Sequence, residues 1–456
     1  MTAPLSIVIL AAGAGTRMRS RLPKVLHPLA GRPMLRHVID TARGLEPAGI
    51  HVVFGHGGEQ VRNEIPDDDL DWVHQAEQLG TGHAVAQAMP GIPDDHDVLV
   101  LCGDVPLVRP ESLAALREAA YDGAALLAVR LTDASGYGRI LRDAAGDVAG
   151  IVEEKDATAE QRAITEINSG IMCLPAGRLR GWLTALSDDN AQGEYYLTDV
   201  IAMARRDGVS IHTAEAADVV EVQGVNDRRQ LAVVERAWQR READRLMAAG
   251  VSLMDPARFD VRGTLDCGED VTIDVNCVFA GEVRIGAGVT IGPNCLIRDS
   301  VIGDGTHIEA NSVVDGAAVE GDSSVGPFAR LRTGTRLARG AKVGNFVETK
   351  NADVGEGSKV NHLSYVGDAE VGPGVNVGAG TITCNYDGAN KHFTVIEADA
   401  FIGSNTALVA PVRVGRGATI GAGSVIRDDA PADTLTLSGT RQQSVSGWQR
   451  PTKRRD

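Results

Sequence analysis

The C-terminal half of the chain carries a hydrophobic repeat with a period of six residues. Aliphatic residues recur every six positions, with short interruptions, from Ile285 to Ile426. This period fits neither an amphipathic helix nor a hairpin, and it is typical of coils in which three hexads complete a triangular turn. It therefore predicts a parallel β-helix lined by aliphatic side chains. The rhythm breaks at 343–354 and 377–396, where polar residues predict inserted loops able to hold a site.

Short apolar runs in the N-terminal half alternate with helix-like stretches from Ser6 to about Val225. Strands that alternate with helices are typical of an α/β domain with a mostly parallel sheet. The runs that predict its buried strands are 7–10, 51–54, 98–101 and 124–129.

A third pattern connects the two halves. Apolar residues recur at helical spacing over 226–250, charged residues lie between them, and Gly250 ends the segment. One long connecting helix is predicted. The domain boundaries that follow are an α/β domain at 1–228, a helical linker at 229–250 and a β-helix domain at 251–456.

Length and charge narrow the classes of function. The 456 residues leave room for two or three domains that each bury a core. Lys and Arg total 45 against 61 Asp and Glu, a formal net charge of −16. Generic nucleic-acid binding is therefore not expected, because phosphate backbones need an electropositive face. Any anionic ligand must be held by cations placed locally.

Membrane insertion and disulfide chemistry are not expected either. No stretch approaches the roughly 18 consecutive apolar residues of a membrane-spanning helix, and residues 1–10 lack the features of a secretory signal. We therefore predict a cytoplasmic protein. The six cysteines lie far apart without a Cys-x-x-Cys pair, which argues against a zinc ribbon or redox motif and predicts reduced, buried thiols.

A glycine-rich loop follows the first predicted strand. Residues 10–18 (LAAGAGTRM) lead toward a helix, so their backbone N–H groups can face phosphate oxygens. The loop lacks the Gly-Lys-Ser/Thr ending of a P-loop, and Met18 stands where a dinucleotide fingerprint has its third glycine. Arg17 and Lys24 add positive charge suited to a leaving pyrophosphate. Alone, the loop fits a phosphate site and a mere tight turn equally well.

A second candidate feature is Gly103-Asp104 at the end of the predicted strand 98–102. Open α/β sheets bind ligands at the carboxyl ends of their strands. An Asp there suits Mg²⁺, which prefers oxygen ligands and bridges substrate phosphates, although an isolated Asp is more often a helix cap or turn former. Because the glycine loop is predicted to lie nearby, we favour the metal-binding role for Asp104.

The glycine loop and Gly103-Asp104 belong to a longer series of motifs: residues 10–18, 23–26, Gln75, 80–82, 102–104, 136–139, Glu153, 166–170 and 192–199. In order and spacing these motifs resemble the sugar-1-phosphate nucleotidylyltransferases. With the β-helix behind them, the whole chain resembles the bacterial bifunctional N-acetylglucosamine-1-phosphate uridylyltransferase/glucosamine-1-phosphate N-acetyltransferase family.

For the N-terminal domain the resemblance implies a Rossmann-like fold that transfers a uridylyl group from UTP to N-acetylglucosamine 1-phosphate with Mg²⁺, releasing pyrophosphate. Asp104 and Asn226 would hold the metal, while Arg17 and Lys24 would neutralise phosphate charge. The nucleotide part of the site would contain Leu10, Ala11, Ala12, Gly13, Lys24, Gln75, Gly80, Thr81, Cys102, Gly103, Asp104 and Asn226. The sugar would face Gly138, Glu153, Asn168, Tyr196 and Thr198. Gln75 suits uracil because an amide both donates and accepts.

The C-terminal half holds a polar cluster among turns of glycine and small residues: Arg332, Lys350, 361–365, Asn376 and 383–387. A lone His at a coil corner is usually a surface residue. Acetyl transfer to an amine, however, needs a base to remove a proton from nitrogen, and an unperturbed histidine titrates near neutral pH. His362 is the candidate base, as the resemblance also implies.

For this half the resemblance implies a left-handed parallel β-helix of hexapeptide repeats that acetylates glucosamine 1-phosphate with acetyl-CoA. Arg332, Lys350, Tyr365 and Asn376 would bind the sugar phosphate. The acetyl-CoA groove would contain Ala379, Asn385, Tyr386, Ser404, Ala422, Gly439 and Arg441. Gly439 stands where the family often has an Arg that meets coenzyme A, and Arg441 is a possible substitute two residues on.

The resemblance further implies a homotrimer whose neighbouring subunits complete each acetyl-transfer site, with acetylation preceding uridylyl transfer in the synthesis of UDP-N-acetylglucosamine. Two alternatives stay open from the sequence. One is a single-activity sugar nucleotidylyltransferase with a regulatory β-helix, as in glucose-1-phosphate adenylyltransferases. The other is a β-helix that serves only as a trimerising stalk. The polar residues over 350–387 favour two activities.

Overall fold

A computed structural model describes residues 3–13, 15–55, 57–439 and 442–450. The chain divides into two compact units, with the division between Trp238 and Gln239. This division falls inside the long connecting helix, so each unit contains part of it.

The N-terminal unit is built on one mixed sheet. Its strands are β1 (Leu5–Leu10), β2 (Pro28–Leu29), β3 (Arg32–Pro33), β4 (Gly49–Phe54), β5 (Leu70–His74), β6 (Asp97–Cys102), β7 (Gly123–Arg130), β8 (Gly138–Arg142), β9 (Val148–Val152), β10 (Glu166–Pro175) and β11 (Ser210–Glu215). The sheet order is β11-β7-β10-β6-β1-β4-β5; in addition β8 pairs with β10 and β9 pairs with β8, whereas β2 and β3 form a separate ribbon. All pairings along that order are parallel except those of β10.

Helices cover the sheet. They are α1 (Met34–Arg43), α2 (Gly58–Glu64), α3 (Thr81–Ala88), α4 (Pro110–Ala119), α5 (Ala159–Arg162), α6 (Ala176–Thr184), α7 (Asp199–Arg206) and α8 (Arg228–Ala248), with 3-10 turns at Thr16–Met18, Lys24–Leu26, Met89–Gly91 and Val219–Val222. Ile7 and Ile9 pack in one hydrophobic cluster and Val8 in another. Both faces of β1 are therefore buried, which explains why the central strands are continuous apolar runs rather than alternating ones.

The predicted long helix is confirmed as α8. It starts after Asp227, whose carboxylate accepts the backbone N–H groups of Arg229 at 2.8 Å and Gln230 at 2.9 Å. Capping of this kind satisfies N–H groups that have no partner within the helix.

The C-terminal unit is the predicted parallel β-helix. Its strands are Ser252–Leu253, Phe259–Cys267, Thr272–Ile273, Cys277–Ile285, Thr290–Ile291, Leu296–Ile302, His307–Ile308, Val313–Asp315, Ala318–Val319, Ser324–Val325, Arg330–Leu331, Arg336–Leu337, Lys342–Asn345, Glu348–Val354, Lys359–His362, Tyr365–Val371, Asn376–Val377, Ile382–Cys384, Thr394–Ile396, Phe401–Ile402, Ala407–Val409, Val412–Val414, Thr419–Ile420, Val425–Ile426 and Leu435–Thr436. Successive coils pair in parallel, so that Ile285, Ile302 and Val319 stack in register inside the prism.

The two interruptions of the hexad rhythm differ. The prediction of an inserted loop at 343–354 is wrong, because Glu348–Val354 is a strand. Thr349 lies fully buried where the repeat usually has an aliphatic residue, and its hydroxyl is hydrogen-bonded to that of Thr335 at 3.0 Å. The second interruption does insert a loop, between Cys384 and Thr394.

No helix among the described residues is long and apolar enough to cross a membrane. All six cysteines are free. Cys173, Cys277 and Cys295 are buried as predicted, whereas Cys102, Cys267 and Cys384 are only half-buried.

Candidate active sites

Two polar segments leave the same edge of the N-terminal sheet. β1 and β6 pair in parallel with Leu10 opposite Cys102, so the glycine loop and Gly103-Asp104 emerge side by side. The Gly103 N–H donates to the Leu10 carbonyl at 2.9 Å. A Cβ on Gly103 would lie 3.1 Å from that oxygen, which shows why glycine allows the two segments to approach.

Three side chains converge beside the glycine loop. Gly15 has φ of +60°, and a Cβ there would lie 2.6 Å from Lys24 Cβ, so only glycine lets Lys24 pass under the loop. The Lys24 ammonium forms an ion pair with Asp104 and lies 3.3 Å from Asn226 Oδ1. Asn226 is placed there because the Val225 N–H donates to the Asp104 carbonyl at 2.9 Å. The oxygens of Asp104 and Asn226 thus converge on one cation.

A cavity of about 460 Å³ opens at this edge, within the range of small-molecule sites. Many of the residues expected to contact nucleotide lie on its wall: Leu10, Ala11, Ala12, Gly13, Lys24, Gln75, Gly80, Thr81, Cys102 and Asp104. The wall also includes Gln78 and Ala84, which the sequence did not single out, and Val25 and Glu194, which lie within the motifs 23–26 and 192–199. Desolvation, with the nearby Asp104 carboxylate adding to it, raises the pKa of the Cys102 thiol to about 12, which disfavours the thiolate form.

Arg17 is exposed, in the short turn that follows Gly15. It lies close enough to Asp227 to contribute, after the backbone N–H groups of Gln230 and Arg229, to the lowered pKa of that carboxyl. Arg17 is therefore near the chain segment that carries Asn226.

The residues expected to face the sugar form a neighbouring cluster off that cavity wall. The Thr198 hydroxyl donates to Glu153 Oε1 at 3.0 Å, and burial raises the pKa of Glu153. A Cβ on Gly138 would lie 3.4 Å from Glu153 Oε2, and Asn168 pairs with Gly138 across the two strands. The Tyr196 hydroxyl donates instead to Asp156 at 3.3 Å.

In the β-helix, His362 ends a strand directly opposite Asn345 of the preceding coil. His362 Nδ1 lies 2.5 Å from Asn345 Oδ1. An amide oxygen only accepts hydrogen bonds, so Nδ1 carries the proton and Nε2 keeps its lone pair. The exposed ring thus has the tautomer of a base that acts through Nε2.

Cationic side chains come from neighbouring coils and from the inserted loop: Arg332 follows the strand Arg330–Leu331, Lys350 lies on the strand Glu348–Val354, and Lys391 lies in the loop. Arg332 donates to Glu348 at 2.8 Å. Lys350 lies so close to Lys391 that the second ammonium lowers the pKa of the first. Two like charges at one place attract an anion, which suits a sugar phosphate.

A hydrogen-bonded group surrounds Asp368 in the same region. Burial acts to raise the pKa of this carboxyl, but donors from Asn351 at 2.8 Å and Asn385 at 2.5 Å leave it below its usual value. Asn385 also lies 3.5 Å from the Tyr365 hydroxyl. A Cβ on Gly367 would lie 2.2 Å from that hydroxyl oxygen, so the glycine makes room for the tyrosine.

The small residues expected in the acetyl-CoA groove form a ladder. The register of three successive coils aligns Val377, Ile402 and Ile420, and two residues beyond each lie Ala379, Ser404 and Ala422. In the next coil, the position equivalent to Ala422 is occupied by Ser438 and not by Gly439. Arg441 lies outside the described residues.

Two further residues were expected at this site. Tyr386 is exposed, and its hydroxyl donates to the Gly388 carbonyl at 2.6 Å. Asn376 lies between Lys359 and Phe401 of the adjacent coils.

Both halves of the chain match known protein families. Residues 7–192 match the MobA-like NTP transferase domain, 261–354 the GMPPB C-terminal domain and 393–428 the bacterial transferase hexapeptide with six repeats. The bifunctional protein GlmU of Alkalilimnicola ehrlichii is 62% identical over 100% of this chain and 98% of its own length. Those of Marinobacter nauticus and Stutzerimonas stutzeri are 58% and 59% identical over 99% of this chain and 99% and 100% of theirs.

The chain belongs to the family of bifunctional GlmU proteins. The predicted fold, an NTP-transferase domain followed by hexapeptide repeats, is confirmed, as is the prediction of a transferase with two activities. The alternatives of a single-activity enzyme and of an inert stalk do not fit a family named bifunctional at full-length identity of 57% to 62%.

Several residues at the candidate site on the β-helix could not be identified from the sequence. Asn345, Glu348 and Asp368 lie in hexad strands that resemble every other turn of the repeat, and their partners lie a coil away. Lys391 could have been suspected, because it is a cation within the interruption that also holds Asn385.

Proposed function

We propose that the β-helix of this GlmU family member acetylates glucosamine 1-phosphate with acetyl-CoA. Its N-terminal unit then transfers the uridylyl group of UTP to the resulting N-acetylglucosamine 1-phosphate. The support is that each unit has its own site of suitable chemistry. Both activities belong in the cytoplasm, where UTP and acetyl-CoA are available and cysteines stay free, as all six are here.

Uridylyl transfer is assigned to the cavity at the sheet edge. An oxygen of the sugar phosphate attacks the α-phosphorus of UTP, a new P–O bond forms, and the bond to the β-phosphate breaks to release pyrophosphate. A phosphate oxygen is already a nucleophile, so no general base is needed. Alignment and charge neutralisation lower the barrier, and Arg17 and Lys24 supply the positive charge.

The same site suits Mg²⁺. Asp104 and Asn226 offer one carboxylate and one amide oxygen, both of them directed at the Lys24 ammonium, and this is the type of donor pair that Mg²⁺ takes while it keeps waters and phosphate oxygens. When bound, the ion would neutralise charge on the phosphates. Lys24, freed from its ion pair, would then turn to the phosphate groups.

Acetyl transfer is assigned to the region of His362. Nε2 of His362 takes a proton from the amino group of the sugar, whose nitrogen attacks the thioester carbonyl. A C–N bond forms, the C–S bond breaks, and coenzyme A leaves as the thiol after protonation. Arg332, Lys350 and Lys391 hold the phosphate, Tyr365 and Asn376 contact the sugar, and the ladder from Ala379 to Ala422 accommodates the pantetheine arm, with Asn385 and Tyr386 beside it.

We also propose a homotrimer. Phe328, Phe346 and Leu363 occupy one corner of three successive coils and are 50%, 55% and 64% exposed. The two phenylalanine rings stack with centroids 5.2 Å apart. An exposed apolar ladder of this kind is typical of an interface, and a three-fold interface beside His362 would complete the acetyl-transfer site. Sedimentation should give the mass of a trimer, and Phe346→Arg should reduce it.

Two substitutions test the activities separately. Asp104→Ala should abolish Mg²⁺-dependent pyrophosphate release from UTP and leave acetyl-CoA consumption intact. His362→Ala should do the reverse, with a loss of about 100-fold or more in acetyl transfer.

The matched control is His307→Ala, which removes an exposed histidine of the same β-helix and should leave both activities unchanged. The assignment of acetyl transfer would be wrong if His362→Ala and His307→Ala behaved alike. The assignment of two separate sites would be wrong if either active-site variant lost both activities while still folded.

A further inference from the structure

Three side chains form a hydrogen-bonded series behind the wall of the nucleotide cavity. Gln75 lies on that wall and is 2% exposed. Its Nε2 is 3.2 Å from the Gly80 carbonyl and 3.0 Å from His83 Nδ1. His83 Nε2, the other ring nitrogen, lies 3.1 Å from Gln87 Nε2, which also lies 3.4 Å from the His83 carbonyl.

The hydrogen-bonding capacity of each group fixes the orientation of the Gln75 amide. The Gly80 carbonyl can only accept, so the NH₂ group of Gln75 must face it. The second proton of that NH₂ then points at His83 Nδ1, which must present a lone pair. Both donors of Gln75 are thus used inside the protein, and only its oxygen Oε1 is left for a ligand.

The same accounting fixes the tautomer of His83. A lone pair on Nδ1 places the ring proton on Nε2. A half-turn of the Gln87 amide, which gives up its long 3.4 Å contact with the His83 carbonyl, would bring the Gln87 oxygen to Nε2 to accept that proton.

We propose that His83 determines the base specificity of the nucleotide site by holding Gln75 with its oxygen toward the base. The inference rests on the proposed function, in which Gln75 meets the base of UTP. An acceptor at this place pairs with N3–H, the one hydrogen-bond donor on the pyrimidine edge of uracil. Cytosine has a lone pair on N3, so it would leave two acceptors facing each other in a buried site, which is costly. His83 is a positioning residue in this proposal.

Two substitutions at one position separate this role from simple packing. His83→Leu keeps an apolar side chain of moderate size but removes the acceptor, so one N–H of Gln75 loses its partner and the amide can rotate its donors toward the base. His83→Asn places Oδ1 the same number of bonds from the backbone as Nδ1 of histidine and keeps an acceptor.

The measurement is kcat/KM for UTP and for CTP with N-acetylglucosamine 1-phosphate, in the full-length protein with Mg²⁺. His83→Leu should lower the UTP:CTP ratio about tenfold or more, the worth of one hydrogen bond in a buried site. His83→Asn should keep most of the wild-type ratio. Acetyl-CoA consumption, measured on the same preparations, should be unchanged and serves as the internal reference for the amount of protein.

An unchanged UTP:CTP ratio in His83→Leu would overturn the proposal, even if turnover of UTP fell, because a packing defect lowers both substrates together. A ratio that fell equally in His83→Leu and His83→Asn would also overturn it. Gln75→Leu identifies the failure of the underlying assignment: if that variant kept the wild-type ratio, Gln75 would not contact the base, and both the assignment and the inference would be wrong.

Discussion

A single side-chain contact orients the proposed base of the acetyl-transfer site. The Asn345 oxygen accepts from Nδ1 of His362 at 2.5 Å, and the ring is otherwise exposed. An exposed histidine without that contact would exchange tautomers and rotate, and only a fraction of the molecules would present Nε2 to the substrate. The effect of a base depends on its geometry first.

Asn345→Ala should therefore lower kcat for acetyl transfer about tenfold, with a smaller change in KM for glucosamine 1-phosphate, because Asn345 orients the base and does not hold the phosphate. Asn345→Asp keeps an acceptor oxygen in the same place and should restore most of kcat. Steady-state kinetics of both variants check this. A rise in KM alone, or equal losses in the two variants, would contradict a positioning role.

Whether a site residue can be recognised from the sequence depends on whether it differs from the residues at the same position of the other hexads. His362 was identifiable because it lies in a cluster of polar residues among turns that otherwise carry small residues. Asn345 was not, since Asn is common at such turns and its relation to His362 depends on the register of two coils. The closeness of Lys350 and Lys391 likewise depends on how the loop after Cys384 folds back, with Tyr386 bridged to Lys391.

At the scale of elements, an ion-pair group joins α1 to the segment before β5. Arg36 and Arg43 lie two turns apart on α1, and both donate to Asp67. These hydrogen bonds, that of Arg36 foremost, lower the pKa of Asp67 from 3.8 to about 2. A carboxyl whose pKa is lowered by folding stabilises the native state above its unfolded pKa and loses that contribution as the pH falls toward its folded pKa.

Asp67→Asn should therefore reduce the free energy of unfolding at pH 7 by about 1 to 2 kcal/mol after allowance for solvent screening. The difference from wild type should shrink as the pH falls from about 4 toward 2. Urea unfolding followed by tryptophan fluorescence measures it. Asp68→Asn is the control, because it removes the same charge from an exposed neighbour; equal effects of the two substitutions would show that net charge, not the ion pairs, is responsible.

The elements themselves were largely predictable, and the physical reason is visible in the β-helix. One face of each hexad must fill a narrow interior, so Ile297, Val314 and Leu331 repeat on successive coils and all are fully buried. The prediction failed at Thr349 because a threonine whose hydroxyl is hydrogen-bonded to Thr335 fills the same space as an aliphatic side chain. A pattern of hydrophobic residues cannot show that such a pair of polar residues is buried.

At the scale of the whole molecule, the two assigned sites share no residue. All residues assigned to uridylyl transfer precede Trp238, and all those assigned to acetyl transfer follow Gln239. The product of acetyl transfer, N-acetylglucosamine 1-phosphate, is a charged molecule that dissolves freely in water. If each site works alone, one protein molecule can supply the intermediate and another can consume it.

A mixture of Asp104→Ala and His362→Ala proteins should then convert glucosamine 1-phosphate, acetyl-CoA and UTP into UDP-N-acetylglucosamine, although neither variant does so alone. Formation of the product should show a lag, because the intermediate must first accumulate in solution, and the lag should lengthen on dilution of the two proteins. Chromatography of timed samples would follow intermediate and product. If the mixture stayed inactive while each variant kept its own half-reaction, the intermediate would have to pass between sites within one assembly, and free exchange through solution would be excluded.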